Sequence, residues 1–222
     1  MEKNNGTQIE EFEKVDEALN KAESFFEKNT SKLLIVVAGI CLVVFGVIYY
    51  IKCVKGPANE EAANRIYVAE QYFVNGSYEQ ALNDEENGFL AIIKDHGSTD
   101  AAVAAKAYAG VCYKQLGKYE DAIKYLKGVD EDDLISPALQ GAVGDCYSEL
   151  GKDSDAIAFY KKAIASDNEL VSPIYMKRLA IVYLASGKKD EAVKLLEDLK
   201  YKYGNTSAGR EVEKLIEVAK NK

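Results

Sequence analysis

Five residues, Gly110, Cys112, Tyr113, Gly117 and Ala122, recur 34 positions later as Gly144, Cys146, Tyr147, Gly151 and Ala156. Tyr147, Gly151 and Ala156 return 36 positions later as Tyr183, Gly187 and Ala192, with Ala180 where Gly144 stood. Upstream, Ala69, Tyr72 and Gly76 lie 41 positions before Gly110, Tyr113 and Gly117. A period of this size accommodates a helix, a turn and a second helix. Each such pair presents an apolar face that only the next pair can cover. The chain is therefore expected to be all-α, an α-solenoid of about four helix-turn-helix repeats.

The residues inside the period fit that reading. Gly110, Gly144 and Ala180 fall in first helices and Ala122, Ala156 and Ala192 in second helices, where a larger side chain would force the pair apart. Gly117, Gly151 and Gly187 stand where first helices end, positions that favour a left-handed backbone. Ser136-Pro137 and Ser172-Pro173 read as helix starts, Ser as the cap and Pro in the first turn. Asn83 to Gly88 is polar and breaks the second helix of the first repeat, so an inserted loop is expected before the apolar run Phe89 to Ile93. After the last repeat, Val212, Leu215, Ile216 and Ala219 form one amphipathic stripe, the closing cap.

Ahead of the repeats, Leu33 to Ile51 contains no charged residue, no Pro and no amide side chain, and Lys32 and Lys52 flank it. At ~1.5 Å per residue this run approaches the ~30 Å hydrocarbon core, and the flanking Lys can reach the headgroups. It is read as a transmembrane helix, with membrane lipid contacting residues 33–51. A cleaved signal peptide would need a basic start near residue 1, whereas 32 largely acidic residues come first. Residues 13–32 hold four Lys against Lys52, Lys55 and Arg65 in 52–71, a margin that favours a cytoplasmic N-terminus.

The expected organisation is an acidic segment 1–32, the span 33–51, a linker 52–57 and a solenoid domain 58–222. Pro57 opens the first helix of that domain. Within the first segment Phe12, Val15, Leu19, Ala22 and Phe26 make one apolar stripe, and Gly39 and Gly46 share a face of the span. Both features suit a homodimer. The net charge of −8 leaves no basic face for phosphates, so nucleic acid is excluded as a partner.

At these residues the chain resembles the tetratricopeptide repeat family. Val143-Gly144, Tyr147, Gly151, Ala156 and Tyr160 follow the family pattern closely. Ala109-Gly110, Tyr113, Gly117, Ala122 and Leu126, and then Leu179-Ala180, Tyr183, Gly187, Ala192 and Leu196, follow it with Leu as the last member. Lys106, Gln140 and Met176 replace the opening Trp, and the chain has no Trp. The resemblance covers residues 58 to 220. It implies that function lies on the concave groove of the first helices, at Ala107, Tyr108, Val111, Gly141, Asp145, Lys177, Arg178, Ile181 and Leu184. The small and apolar residues among them argue against a charge clamp on a C-terminal carboxylate. They suit a protein segment held by burial.

No catalytic constellation emerges, so no enzyme activity, metal or cofactor is expected. His96 precedes Gly97 at a helix end with no second ligand near it and reads as capping or exposed. Asp130 to Asp133 lacks the Gly and Glu of a calcium loop and reads as a solvated turn. Cys112 and Cys146, equivalent residues of neighbouring repeats, should be too far apart for a disulfide and are expected to be separate core thiols.

One N-terminal span followed by divergent repeats is also similar in layout to the ancillary subunits of the bacterial SecYEG translocon. That likeness implies an inner-membrane protein with periplasmic repeats, an adaptor or chaperone-like factor. Its partners would be translocon or periplasmic chaperone components. A self-assembling membrane scaffold is the alternative.

Overall fold

The computed structural model describes residues 29–32, 34–129 and 135–221, whose regular structure is helical, joined by turns, with no strand among the described residues. They fall into two compact units, Met1–Gly56 and Pro57–Lys222. The stripe from Phe12 to Phe26 and the acidic run Asp130 to Asp133 lie outside the described residues.

One helix, Asn29–Val74, contains a stretch long and apolar enough to cross a membrane, with mean hydropathy 2.8 and none of that stretch buried by protein. Its turn Tyr50–Lys55 is π-helical, and the Gly56 N–H donates to Ile51 O. The next residue, Pro57, has no N–H for the regular ladder, and a wide turn just before a proline relieves the clash of its ring with the preceding carbonyls.

The second unit begins with α1 (Gly56–Val74), α2 (Tyr78–Asn83) and α3 (Phe89–Asp95). Three regular pairs follow. They are α4 (Asp100–Gln115) with α5 (Tyr119–Lys127), α6 (Ser136–Glu149) with α7 (Asp153–Ile164), and α8 (Ser172–Ala185) with α9 (Lys189–Tyr203). A short α10 (Ser207–Arg210) and the closing α11 (Val212–Asn221) pack on the last pair. The sequence places an inserted loop in the first repeat, and the chain does turn between α2 and α3, where Asp84 Oδ1 accepts from the N–H groups of Glu86 (3.2 Å) and Asn87 (2.7 Å).

The regular pairs are alike because their contacts are alike. Gly76, Gly117, Gly151 and Gly187 all have φ between 68° and 76°, the left-handed region that a Cβ disfavours, and each turns a first helix into a second. A Cβ built on Gly110 would lie 2.5 Å from Leu126 Cγ, and one on Gly144 would lie 2.7 Å from the Tyr160 ring. Ala122, Ala156 and Ala192 face these junctions with no solvent exposure.

Two sequence expectations need correction. Ser136 and Ser172 do not cap. The cap positions are Ile135 and Val171, both αR and without a side-chain bond, because the backbone is already helical when it reaches each Ser. The turn before α8 is instead held by Asn168 Oδ1, which accepts from Leu170 N (2.9 Å) and Val171 N (3.1 Å). Side-chain caps do form at Thr99, on Ala102 N, and at Thr206, on Gly209 N. His96 ends α3 as expected, but its ring is buried rather than exposed. Its Nε2 lies 3.8 Å from Glu61 Oε1 of α1, which an Arg65 bond of 2.7 Å also holds.

Cys112 and Cys146 are free, separate and buried. Burial pushes the Cys112 thiol up to about 12 and the Cys146 thiol up to about 11. A thiolate is the reactive form. With Cys41 and Cys53 changed to Ser, a maleimide at pH 8 is therefore expected to label the chain no faster than the domain opens. Mass spectrometry of full-length protein in detergent, with and without urea, checks this. The raised values also set a sign: folding favours the protonated thiols, so their contribution to stability fades as pH climbs above the ordinary thiol value toward 11 and 12.

Candidate functional site: the face of the first helices

α4 touches α6 and α6 touches α8, in addition to each helix's contact with its own partner and with the helix that precedes it. The first helices are therefore the crowded inner rank of a curve, and their free faces line its concave side.

The centre of that face is the carboxylate of Asp145 on α6, with only 11 % of its side chain exposed. Its Oδ2 accepts from Lys114 Nζ of α4 at 3.0 Å and from Arg178 Nη1 of α8, and its Oδ1 accepts from Tyr160 OH of α7 at 2.9 Å. One acidic side chain thus joins three successive pairs. A carboxylate this deep would be costly without partners, and two cations and a hydroxyl supply them.

The aromatic floor supports the network. The Tyr175 ring covers Gly141, where any Cβ would collide with it, and stacks on Tyr160 with centroids 5.8 Å apart. The Arg178 guanidinium lies over Tyr175, 5.3 Å from its centroid, and Tyr175 OH donates to Ala138 O at 3.2 Å. Burial and then the Asp145 charge raise the pKa of Tyr160, and the same causes push Tyr175 up to about 12. Burial works against the charged form of Arg178, but the hydrogen bond and charge of Asp145 outweigh it and raise its pKa. These groups stay protonated across physiological pH, so the site offers fixed hydrogen bonds and charge rather than acid–base chemistry.

Two cavities flank Arg178 and Ile181. The first, about 420 Å³, is bounded by Lys114, Tyr119, Asp145, Ser148, Glu149 and Tyr160 among others. The second, about 480 Å³, is bounded by Ile174, Lys177, Ala208 and Glu211 among others. Lys177 is ion-paired with Glu211.

The residues expected from the sequence divide accordingly. Asp145, Arg178 and Ile181 border the first cavity, while Lys177, Arg178 and Ile181 border the second. Tyr108 is wedged between Phe73 and Phe89, with centroids 5.1 Å from each, and so belongs to the packing of the first repeat. Val111 packs toward the α5–α6 core and Leu184 toward the α8–α9 core. Ala107 is half-buried on α4, one turn before Val111, and Gly141 lies under the Tyr175 ring.

Sequence reasoning missed Lys114, Tyr160, Tyr175 and Ile174. Lys114 could have been found, since it continues the helical stripe of Ala107 and Val111. Tyr160 was read only as a motif aromatic, and nothing in its position announced that its hydroxyl reaches Asp145.

Comparison with known proteins agrees with this architecture. Tetratricopeptide repeat models match residues 109–131, 139–170 and 178–206. Among solved structures, the nearly identical TPR-like repeats of a Podosopora anserina protein assigned as a kinesin light chain superpose with a TM-score of 0.56 at 18% identity, covering 72% of this chain and 85% of that one. A MamA protein superposes with a TM-score of 0.55 at 19% identity, covering 73% and 87%. No curated protein sequence matches the chain. Repeats of this kind are in general non-enzymatic modules that bind protein partners. Residues 109–206 thus match tetratricopeptide repeats, and the described residues stack as an all-helical solenoid.

Proposed function

We propose that this protein is a membrane-tethered adaptor that holds a segment of another protein on the concave face of its repeats. The observation that carries the reading is the pair of adjoining cavities on the first helices, which share Arg178 and Ile181 and open beside a prearranged network. Apolar area for burial and fixed polar groups for orientation lie within one continuous face, the combination that a bound segment needs. The role is non-enzymatic.

The apolar helix supplies the tether. Confinement to a membrane raises the effective concentration of the groove at nearby partners without adding a contact, so modest groove affinity suffices. The Lys margin around the span supports a cytoplasmic N-terminus with the repeats on the far side. The layout of one span followed by divergent repeats supports a place at the bacterial inner membrane, beside translocon or periplasmic chaperone components.

Photo-crosslinking tests this. With a benzophenone side chain at Ile181 in the full chain in native membranes, adducts with translocon or periplasmic chaperone proteins are expected. The same probe at exposed Lys161 on α7 should give none. Adducts only from Lys161, or only between copies of this chain, would remove the adaptor reading.

A further inference from the structure

We infer that Asp145 is a positioning residue for the concave face, a latch that limits how far the α4–α5, α6–α7 and α8–α9 pairs can rotate on one another and so keeps the walls of both cavities in register. Its value to a bound partner rests on the concave-face reading, whereas the latch itself is a property of the chain alone.

The repeat shows that packing does not require this carboxylate. The positions 34 before and 36 after Asp145 are Val111 and Ile181, so the equivalent site in both neighbouring repeats is aliphatic. The fold therefore accepts an apolar side chain there, and the cavity of about 420 Å³ beside Asp145 leaves room for one. Its cationic partners are equally local. Lys114 is matched by Ser148 and Leu184, and Arg178 by Tyr108 and Ala142.

Energetics point the same way. With only 11 % of its side chain exposed, Asp145 has lost most of its hydration, and ion pairs repay such a loss only in part. A cluster of this kind adds little stability over apolar side chains of the same volume. What it adds is direction. Asp145 Oδ2 accepts from Lys114 of α4 and Arg178 of α8, and Oδ1 accepts from the hydroxyl of Tyr160 of α7, a residue 2 % exposed. Apolar surfaces tolerate some sliding of one helix on another, while hydrogen bonds converging on one carboxylate do not.

In a solenoid each pair packs on its neighbours alone, so small rotations accumulate along the stack. Arg178 and Ile181 border both cavities and Lys114 borders the first, so a turn of α4 or α8 against α6 changes the groove directly. Other polar links lack this reach. Lys118 meets Glu79 at 3.0 Å and Ser186 meets Asp153 at 2.7 Å, but both links are exposed and each joins only two repeats.

The test is dipolar electron paramagnetic resonance on the full chain in detergent micelles. Cys41 and Cys53 are changed to Ser, and spin labels are attached, two at a time, to Lys124→Cys, Ala158→Cys and Lys194→Cys, exposed and equivalent positions of α5, α7 and α9. Both the 124–158 and the 158–194 distance distributions are expected to be narrow in the parent. Lys114→Met should broaden the first and spare the second, Arg178→Met should do the reverse, and Asp145→Asn should broaden both. Lys114→Arg, which keeps the charge, should keep the parent width. A fourfold apolar variant, Lys114→Met with Asp145→Leu, Tyr160→Phe and Arg178→Met, removes every member of the network together. It should melt at or above the parent temperature and still broaden both distributions. Unchanged widths in Asp145→Asn, or narrow ones in the fourfold variant, overturn the latch, and the single Met variants decide the matter if the fourfold variant does not fold. In native membranes, crosslinks from the benzophenone at Ile181 should fall severalfold in Asp145→Asn. Broadened distributions with undiminished crosslinks overturn its part in recognition. A parent chain that shows the expected widths but gives no crosslinks from Ile181 removes the adaptor reading and supports the latch alone.

Discussion

Phe89→Ala is expected to destabilise the repeat domain by about 3–5 kcal/mol, the range for deleting a buried aromatic side chain from a packed core. Phe89 has no solvent exposure, lies at the start of α3 directly after the inserted turn, and stacks on Tyr108 with an interplanar angle of 5°. Tyr108 in turn meets Phe73 edge-on. Removing the ring therefore opens a void among three helices that are already held by other contacts and so cannot close in around it. Tyr201→Ala is the control, because Tyr201 is 91% exposed and should change stability by less than about 0.5 kcal/mol. Urea unfolding of the full chain in micelles, followed by circular dichroism, reads both. A loss below about 1 kcal/mol for Phe89→Ala would mean that the irregular first repeat is an appendage, outside the cooperative core.

Ala156→Leu tests the repeat register by the opposite manipulation. Ala156 is fully buried on α7, at the junction where α6 comes close enough that Gly144 could not carry a Cβ without meeting Tyr160. Adding three carbons there is expected to cost about 1–3 kcal/mol, since neither helix can retreat without breaking its contact with the next pair. Ala165→Leu adds the same atoms at the exposed end of α7 and should be nearly neutral. The two variants are compared by thermal melting of the full chain. Equal midpoints would contradict the register that places Ala122, Ala156 and Ala192 at equivalent junctions.

Much of the architecture was legible because it rests on local signals that repeat. A left-handed turn every 34 to 41 residues leaves Gly at Gly76, Gly117, Gly151 and Gly187, and each of these does adopt positive φ. Close helix contacts leave Gly110, Gly144 and the buried alanines, and the closing stripe becomes α11, with Val212 and Ala219 fully buried. Even the break in the first repeat was visible as the polar run from Asn83 to Gly88. The caps were less legible. A Ser-Pro pair is compatible with Ser as cap or as first helical residue, and the preceding backbone decided for the second.

The sequence by itself determined the repeat, the turns and the buried small residues, because each is dictated by backbone conformation or by the distance between two helices joined by a short turn. Only the tertiary structure decided the site. Lys114, Asp145, Tyr160 and Arg178 come from four helices of three successive pairs, at separations of 31, 15 and 33 residues from Asp145. Whether their side chains meet depends on how far each pair is rotated on the last. That rotation is set by the shapes that fill the junctions, such as the Tyr175 ring seated over Gly141. The same geometry turned Tyr108, Val111 and Leu184 into packing and left Ile174 and Ile181 facing open space. Periodicity names the helix that carries a residue. The angle between neighbouring pairs decides what that residue can touch.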